Sequence, residues 1–105
     1  MNNDDFVEFV VGTFDKLKQQ FIEKNEQYKT AVDPLANFRR GALLSMGQSG
    51  LNEMYRTALN YENKHIVHVY NQPVDGPNVD ESLCDIAIYS IIELYFVKKA
   101  KERKQ

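Results

Sequence analysis

Four carboxylates in this chain have the types and spacing to act together: Glu23 and Glu26 in one segment, Glu81 and Asp85 in another. Side chains three or four apart share a face of a helix, so each pair presents two carboxylates on one side. If the two helices pack antiparallel, the end of the first lies beside the start of the last and the four acids converge. Such a cluster repels itself unless a divalent cation neutralises it, and oxygen ligands of this kind suit Mg²⁺, with Mn²⁺ as the alternative. A magnesium held by few carboxylates keeps positions open for waters and phosphate oxygens, the arrangement that activates a water and stabilises phosphoryl transfer. Asp85 makes the case most sharply. Between residues 83 and 97 the only other strongly polar residues are Ser90 and Glu93. A bare carboxylate in apolar surroundings is costly unless it is paired, hydrogen-bonded or bound to a metal. Each acid also has a plain structural reading. Acids at a helix start are favoured by the helix dipole, so Glu81 fits a cap; the string EKNEQ fits a solvated face; Asp85 fits a buried pair with a lysine or arginine.

The elements that must position these residues are helices. Phe6, Phe9, Val10, Phe14, Leu17 and Phe21 recur at three- and four-residue spacing, which predicts a first helix over residues 4–28. The segment KTAVDPLANF follows as a linker, with Asp33 disfavoured in helical geometry by Pro34. A short helix is expected over residues 35–46, ended by GQSG. Ser49 is the expected N-cap of a third helix over residues 51–69, with Leu51, Met54, Tyr55, Ala58, Leu59, Ile66 and Val69 as its buried stripe. Two prolines and a glycine make NQPVDGPN a turn. Asn78 with Glu81 three residues on resembles a capping box and opens a last helix that ends in the basic KKAKERK. No alternating strand pattern stands out. The expected fold is all-α, three long helices and one short, in a single domain over residues 1–105.

Bulk properties set the class. The chain has 105 residues, 43% hydrophobic and 27% charged, enough for one domain with a modest core. A net charge of −2 does not point to a nucleic-acid binder. No apolar run reaches a membrane span, and the acidic start MNNDDF lacks the order of a signal peptide. A single cysteine, Cys84, excludes an intramolecular disulfide and fits a reducing compartment, so the expected location is the cytoplasm. The last helix is apolar nearly all round, more than one small bundle covers, which predicts a homo-dimer or homo-tetramer with Leu94, Tyr95 and Val97 near the interface.

Two stretches carry a family resemblance. KNEQY, residues 24–28, and DESLCDIAIYSII, residues 80–92, resemble signatures of the helical nucleotide-modification-associated domain of phages and bacteria, related to the all-α NTP pyrophosphatases of the MazG and dimeric dUTPase type. Lys24, Asn25 and Tyr28 match the first signature; Asp80, Glu81, Ser82, Asp85, Ala87 and Tyr89 match the second, in the same order along the chain. The resemblance implies an oligomeric helical bundle in host or bacterial cytoplasm that binds a nucleoside triphosphate with Mg²⁺ and releases pyrophosphate. It implies Glu81 and Asp85 as catalytic acids, Glu23 and Glu26 as further metal ligands, and Lys24, Asn25, Tyr28 and Tyr89 on the substrate. Gln27 stands where the group has an acid and Ile88 where it has asparagine. Those departures favour the alternative: a nucleotide-binding or protein-interaction module without turnover.

Other residues admit chemistry on their own. Arg56 and Lys64, with Arg39 and Arg40, could hold phosphates, arginine through bidentate contacts, although surface charges need no such role. His65 and His68 with Glu62 offer imidazole and carboxylate at helical spacing, a face for a transition metal or an ordinary half-exposed pair. Cys84 reads as a core residue and the basic tail as a solvated helix end.

Overall fold

A computed structural model describes residues 2–27 and 35–104. Four α-helices and no strand occur among the described residues: α1 (Asn3–Gln27), α2 (Ala36–Met46), α3 (Leu51–Tyr70) and α4 (Val79–Arg103). The all-α expectation, three long helices and one short, holds. The chain divides into two compact units, Met1–Pro34 and Leu35–Gln105.

The first unit is built on α1. Asn2 caps it, its side-chain oxygen accepting the Asp5 amide at 2.8 Å. Asp4 and Asp5 in the first turn and Lys24 in the last complement the helix dipole. Leu17 is buried, whereas Phe6, Phe9, Phe14 and Phe21 are each more than half exposed.

The second unit is a three-helix packing in which α3 meets both α2 and α4. Pairs along the α3–α4 seam run in opposite senses: His65 meets Asp85 and Tyr89, and nearer the α3 start Met54 and Ala58 share a core with Phe96. The two helices are therefore antiparallel, joined through residues 71–78. The core is small: Ala42, Met54, Ala58 and Phe96 are buried, with Leu35, Phe38, Leu51, Tyr55, Tyr89 and Ile92 packed around them. Phe38 is its aromatic hub, edge-on to Phe96 and Tyr89 at 5.9 and 6.4 Å and tilted against Tyr61 at 5.9 Å. Alanines at 42 and 58 let the helices come close enough for that ring to span them. Gly41 serves the same end, since a Cβ there would collide with the Tyr61 hydroxyl.

Three local expectations are corrected. Gly50, with extended backbone and no side-chain cap, takes the N-cap position of α3 where Ser49 was expected. Asn78 does not form a capping box. It adopts left-handed backbone at φ 60° with no side-chain cap, because the turn, closed by Gly76 donating to Pro73 at 2.8 Å, must reverse sharply into α4. The buried face of α3 also differs: Leu59 and Ile66 are 40% and 44% exposed, while Thr57 and Glu62 are buried. Thr57 fits because its hydroxyl donates to the Glu53 carbonyl within the helix. Glu62 requires a separate explanation.

Candidate functional site

The seam between α3 and α4 becomes polar toward the turn. On α4, Asp85, Tyr89 and Glu93 are successive four-residue steps and share a face. On α3, Tyr61, Glu62 and His65 lie opposite them. Antiparallel pairing thus sets three carboxyls, one imidazole and two phenols into one strip.

Glu62 and Glu93 are its centre. Glu62 is only 6% exposed, and the Glu93 carboxyl stands close enough to share a hydrogen bond with it. Two carboxylates make such a bond only if one holds a proton. Burial, then a hydrogen bond that the protonated Glu93 carboxyl donates to Glu62, then the Glu62 charge, push the Glu93 carboxyl up to about 7. Glu62 Oε1 and Glu93 Oε2 are buried and have no hydrogen-bond partner among the described residues. Buried polar atoms are almost always satisfied, so a carboxyl pair with an unpartnered oxygen on each member is the most informative polar feature of this unit. The same surroundings act on Tyr89, whose hydroxyl is raised above the ordinary phenol value by burial and then by Asp85, Tyr61, Glu62 and Glu93.

Asp85 has a gentler environment than its sequence neighbours suggest. Its side chain is 43% exposed and lies 3.6 Å from Nδ1 of His65. The group beside it is this imidazole, where a divalent cation, or else a lysine or arginine, was expected. The reason is geometric: Asp85 sits at the edge of the buried face, and the flanking apolar residues turn elsewhere on the helix, Leu83 being 52% exposed. His65 is also tilted against Tyr89 at 5.9 Å, which orients its ring. His68 is separate, its Nε2 2.8 Å from the Pro77 carbonyl, where it donates and ties the turn to α3. The two histidines therefore have different partners.

The other expected site residues are placed as follows. Glu81 is exposed in the first turn of α4, where its charge complements the helix dipole. Arg56 and Lys64 are exposed on α3. Glu23, Lys24 and Glu26 are exposed on α1, in the first unit, and Asn25 lies on the same helix. Tyr28 is outside the described residues. Tyr89 is in the strip itself.

Among the described residues no group of three or more His, Cys, Asp or Glu side chains is arranged to hold a metal ion. Magnesium commonly hangs from one or two carboxylates, completing its shell with waters and phosphate oxygens. Glu62 and Glu93, hard oxygen donors with an orphaned oxygen each, fit that smaller requirement. Their signal was present in the sequence: Glu93 interrupts the same apolar run that singles out Asp85, eight residues further along the same face. No helix among the described residues is long and apolar enough to cross a membrane. Comparison with protein-family models, with curated proteins and with solved structures finds no match.

Proposed function

We propose that this chain binds a nucleoside triphosphate, most readily a deoxynucleotide, and hydrolyses it to the monophosphate and pyrophosphate in a Mg²⁺-dependent reaction. The observation that carries this reading is the Glu62–Glu93 carboxyl pair with its two orphaned buried oxygens. The resemblance of residues 24–28 and 80–92 to the pyrophosphatase signatures supports it from the sequence side.

In this reading Glu62 and Glu93 hold the cation, in place of the four-acid set Glu23, Glu26, Glu81 and Asp85. When bound there, Mg²⁺ supplies charge neutralisation at phosphate oxygens and a more acidic water. The protein's own groups do the rest. Glu93 keeps its proton up to near neutrality, so a cation held by the two carboxyls would have to displace that proton. Asp85, 3.6 Å from Nδ1 of His65, helps to orient that imidazole at the edge of the strip. Tyr89, kept protonated by its surroundings, remains a hydrogen-bond donor at any physiological pH. The work takes place in the cytoplasm, with Cys84 reduced, and the protein acts as a homo-dimer or homo-tetramer.

A second reading has one structural observation in its favour. Leu94, Tyr95 and Val97 are 64%, 44% and 37% exposed, a surface that suits a protein-interaction or nucleotide-binding module without turnover. One measurement decides between them: pyrophosphate release across a panel of NTPs and dNTPs with Mg²⁺ or Mn²⁺, for wild type, Glu62→Gln and Glu93→Gln. The enzyme reading expects release from wild type and at least about a hundredfold less from either variant, on the scale of losing a group that stabilises the transition state. Release that is indifferent to both substitutions moves the site elsewhere. No release, with nucleotide binding by calorimetry, leaves the binding module.

A further inference from the structure

The buried face of α4 carries Val79, Ser82 and Phe96. A second stripe runs along its outer side. Asp80, Leu83, Ala87, Ile91, Leu94 and Lys98 follow one another at three- and four-residue steps and so line one face. Leu83, Ile91 and Leu94 are each more than half exposed, an apolar surface that the rest of the described unit leaves uncovered. Charge marks its two ends. Asp80 opens the stripe and Lys98 closes it, 18 residues or roughly 27 Å further along the helix. Both are exposed, and among the described residues neither has an ion-pair partner.

We infer that this stripe is an isologous interface, on which α4 of a second copy of this chain packs antiparallel so that Asp80 of each copy pairs with Lys98 of the other. The inference deepens the proposed function at one point, the homo-oligomer, and rests on that part of the reading alone. A stripe with an acid at one end and a base at the other complements itself only when the second helix runs the opposite way. Parallel pairing sets Asp80 against Asp80 and Lys98 against Lys98, and like charges oppose it. Side-chain size agrees with the antiparallel register. With Asp80 opposite Lys98, Ala87 falls opposite Ile91, Cys84 opposite Leu94, and Leu83 opposite Tyr95. In the two layers nearest the centre a small side chain thus faces a large one, which lets the helices approach closely and interdigitate. The two-fold axis repeats every contact, so the pair of helices gains an ion pair at each end and an apolar strip between them.

The test uses the full chain without nucleotide or metal, by sedimentation equilibrium at low salt, where exposed ion pairs are least screened. Wild type is expected to form a reversible dimer. Asp80→Lys and Lys98→Asp each weaken it by about tenfold or more, because each turns two attractive rim contacts into two repulsive ones. The double variant restores both pairs with their signs exchanged, and its dimer returns to within about threefold of wild type. Far-UV circular dichroism checks that each variant keeps its helices. A dimer that neither reversal weakens, or that the double variant fails to restore, overturns the inference and leaves a homo-oligomer joined elsewhere. Insensitivity to these charges with loss of the dimer in Phe14→Glu, on the exposed apolar side of α1, would place the interface there and also overturn it. A wild-type monomer overturns both the inference and the homo-oligomer of the proposed function. Pyrophosphate release is a separate readout, so none of these outcomes decides the role of Glu62 and Glu93.

Discussion

Glu93 and Asp85 stand on the same face of α4, yet their surroundings differ enough to reverse their behaviour. Glu93 is pushed up to about 7, chiefly by burial and then by Glu62, so between its ordinary value of 4.5 and about 7 the folded state holds a proton that the unfolded state has lost. Stability must then fall as pH rises through that window, because the native state binds more protons than the unfolded one. The loss is smaller than the full linkage of that shift, because Glu93 is only partly buried and solvent screens it. Glu93→Gln, nearly the same shape and never charged, removes that dependence. Its urea midpoint should be flatter than wild type between pH 5 and pH 8 and higher at pH 8, and a variant that tracks the wild-type slope would show the carboxyl pair to be unimportant. Asp85 is half exposed beside His65, and an exposed pair contributes about 1 kcal/mol or less. Asp85→Asn should therefore fold with little loss of stability. If the proposed activity is present, turnover falls while thermal unfolding stays near wild type, since the variant loosens the hold on His65. A protein that unfolds on this substitution would make Asp85 a structural anchor.

At the scale of elements, the three-helix unit depends on small residues where helices cross. Gly41 on α2 faces Thr57 and Tyr61 on α3, and an added methyl group would meet the Thr57 Cγ2 at 3.0 Å as well as the Tyr61 hydroxyl. Overpacking of this kind costs about 1–3 kcal/mol. Gly41→Ala should lower the unfolding midpoint accordingly, and in a Tyr61→Ala background the further penalty should shrink, a coupling that a double-mutant cycle measures. Phe38 explains why the crossing must stay close: its ring touches Tyr61 on α3 and both Tyr89 and Phe96 on α4. The turn into α4 is held from two directions, by His68 on the Pro77 carbonyl and by left-handed Asn78. A short polar side chain tolerates that backbone better than a bulky one. This turn sets the register that brings His65 opposite Asp85.

For the whole molecule, the exposed apolar surface is what the proposed association would cover. Six phenylalanines and six tyrosines occur in 105 residues, and Phe96 is the only large side chain fully buried among the described residues. On α4 Ile91, Leu94 and Tyr95 stay 54%, 64% and 44% exposed. We expect light scattering to give a dimer or larger for wild type, and Leu94→Glu to shift it toward monomer without loss of helix content. A wild-type monomer at micromolar concentration would refute this.

Helix periodicity along the chain is a local property, so the four helices, their order and the proline-rich turn were legible from residue types and spacing alone. Phe6 to Phe21 at helical steps and the NQPVDGPN segment each act through backbone or side-chain preferences that need no partner, while the boundary expected at Pro34 lies outside the described residues. The carboxylate question was legible too, in the polar residues that interrupt the last apolar stretch. Which of those carboxylates is buried was not. That depends on the rotation of α4 against α3, fixed by Phe96 packing with Ala58 and Met54 and by the geometry of the turn. The rotation carries Glu93 inward onto Glu62, from a helix 31 residues earlier in the chain, and leaves Asp85 at the rim with His65. The caps followed the same division. Asn78 and Ser49 have the right chemistry for an N-cap, but a side chain caps only if the backbone enters the helix at the right angle, and tertiary closure of the turns decides that angle.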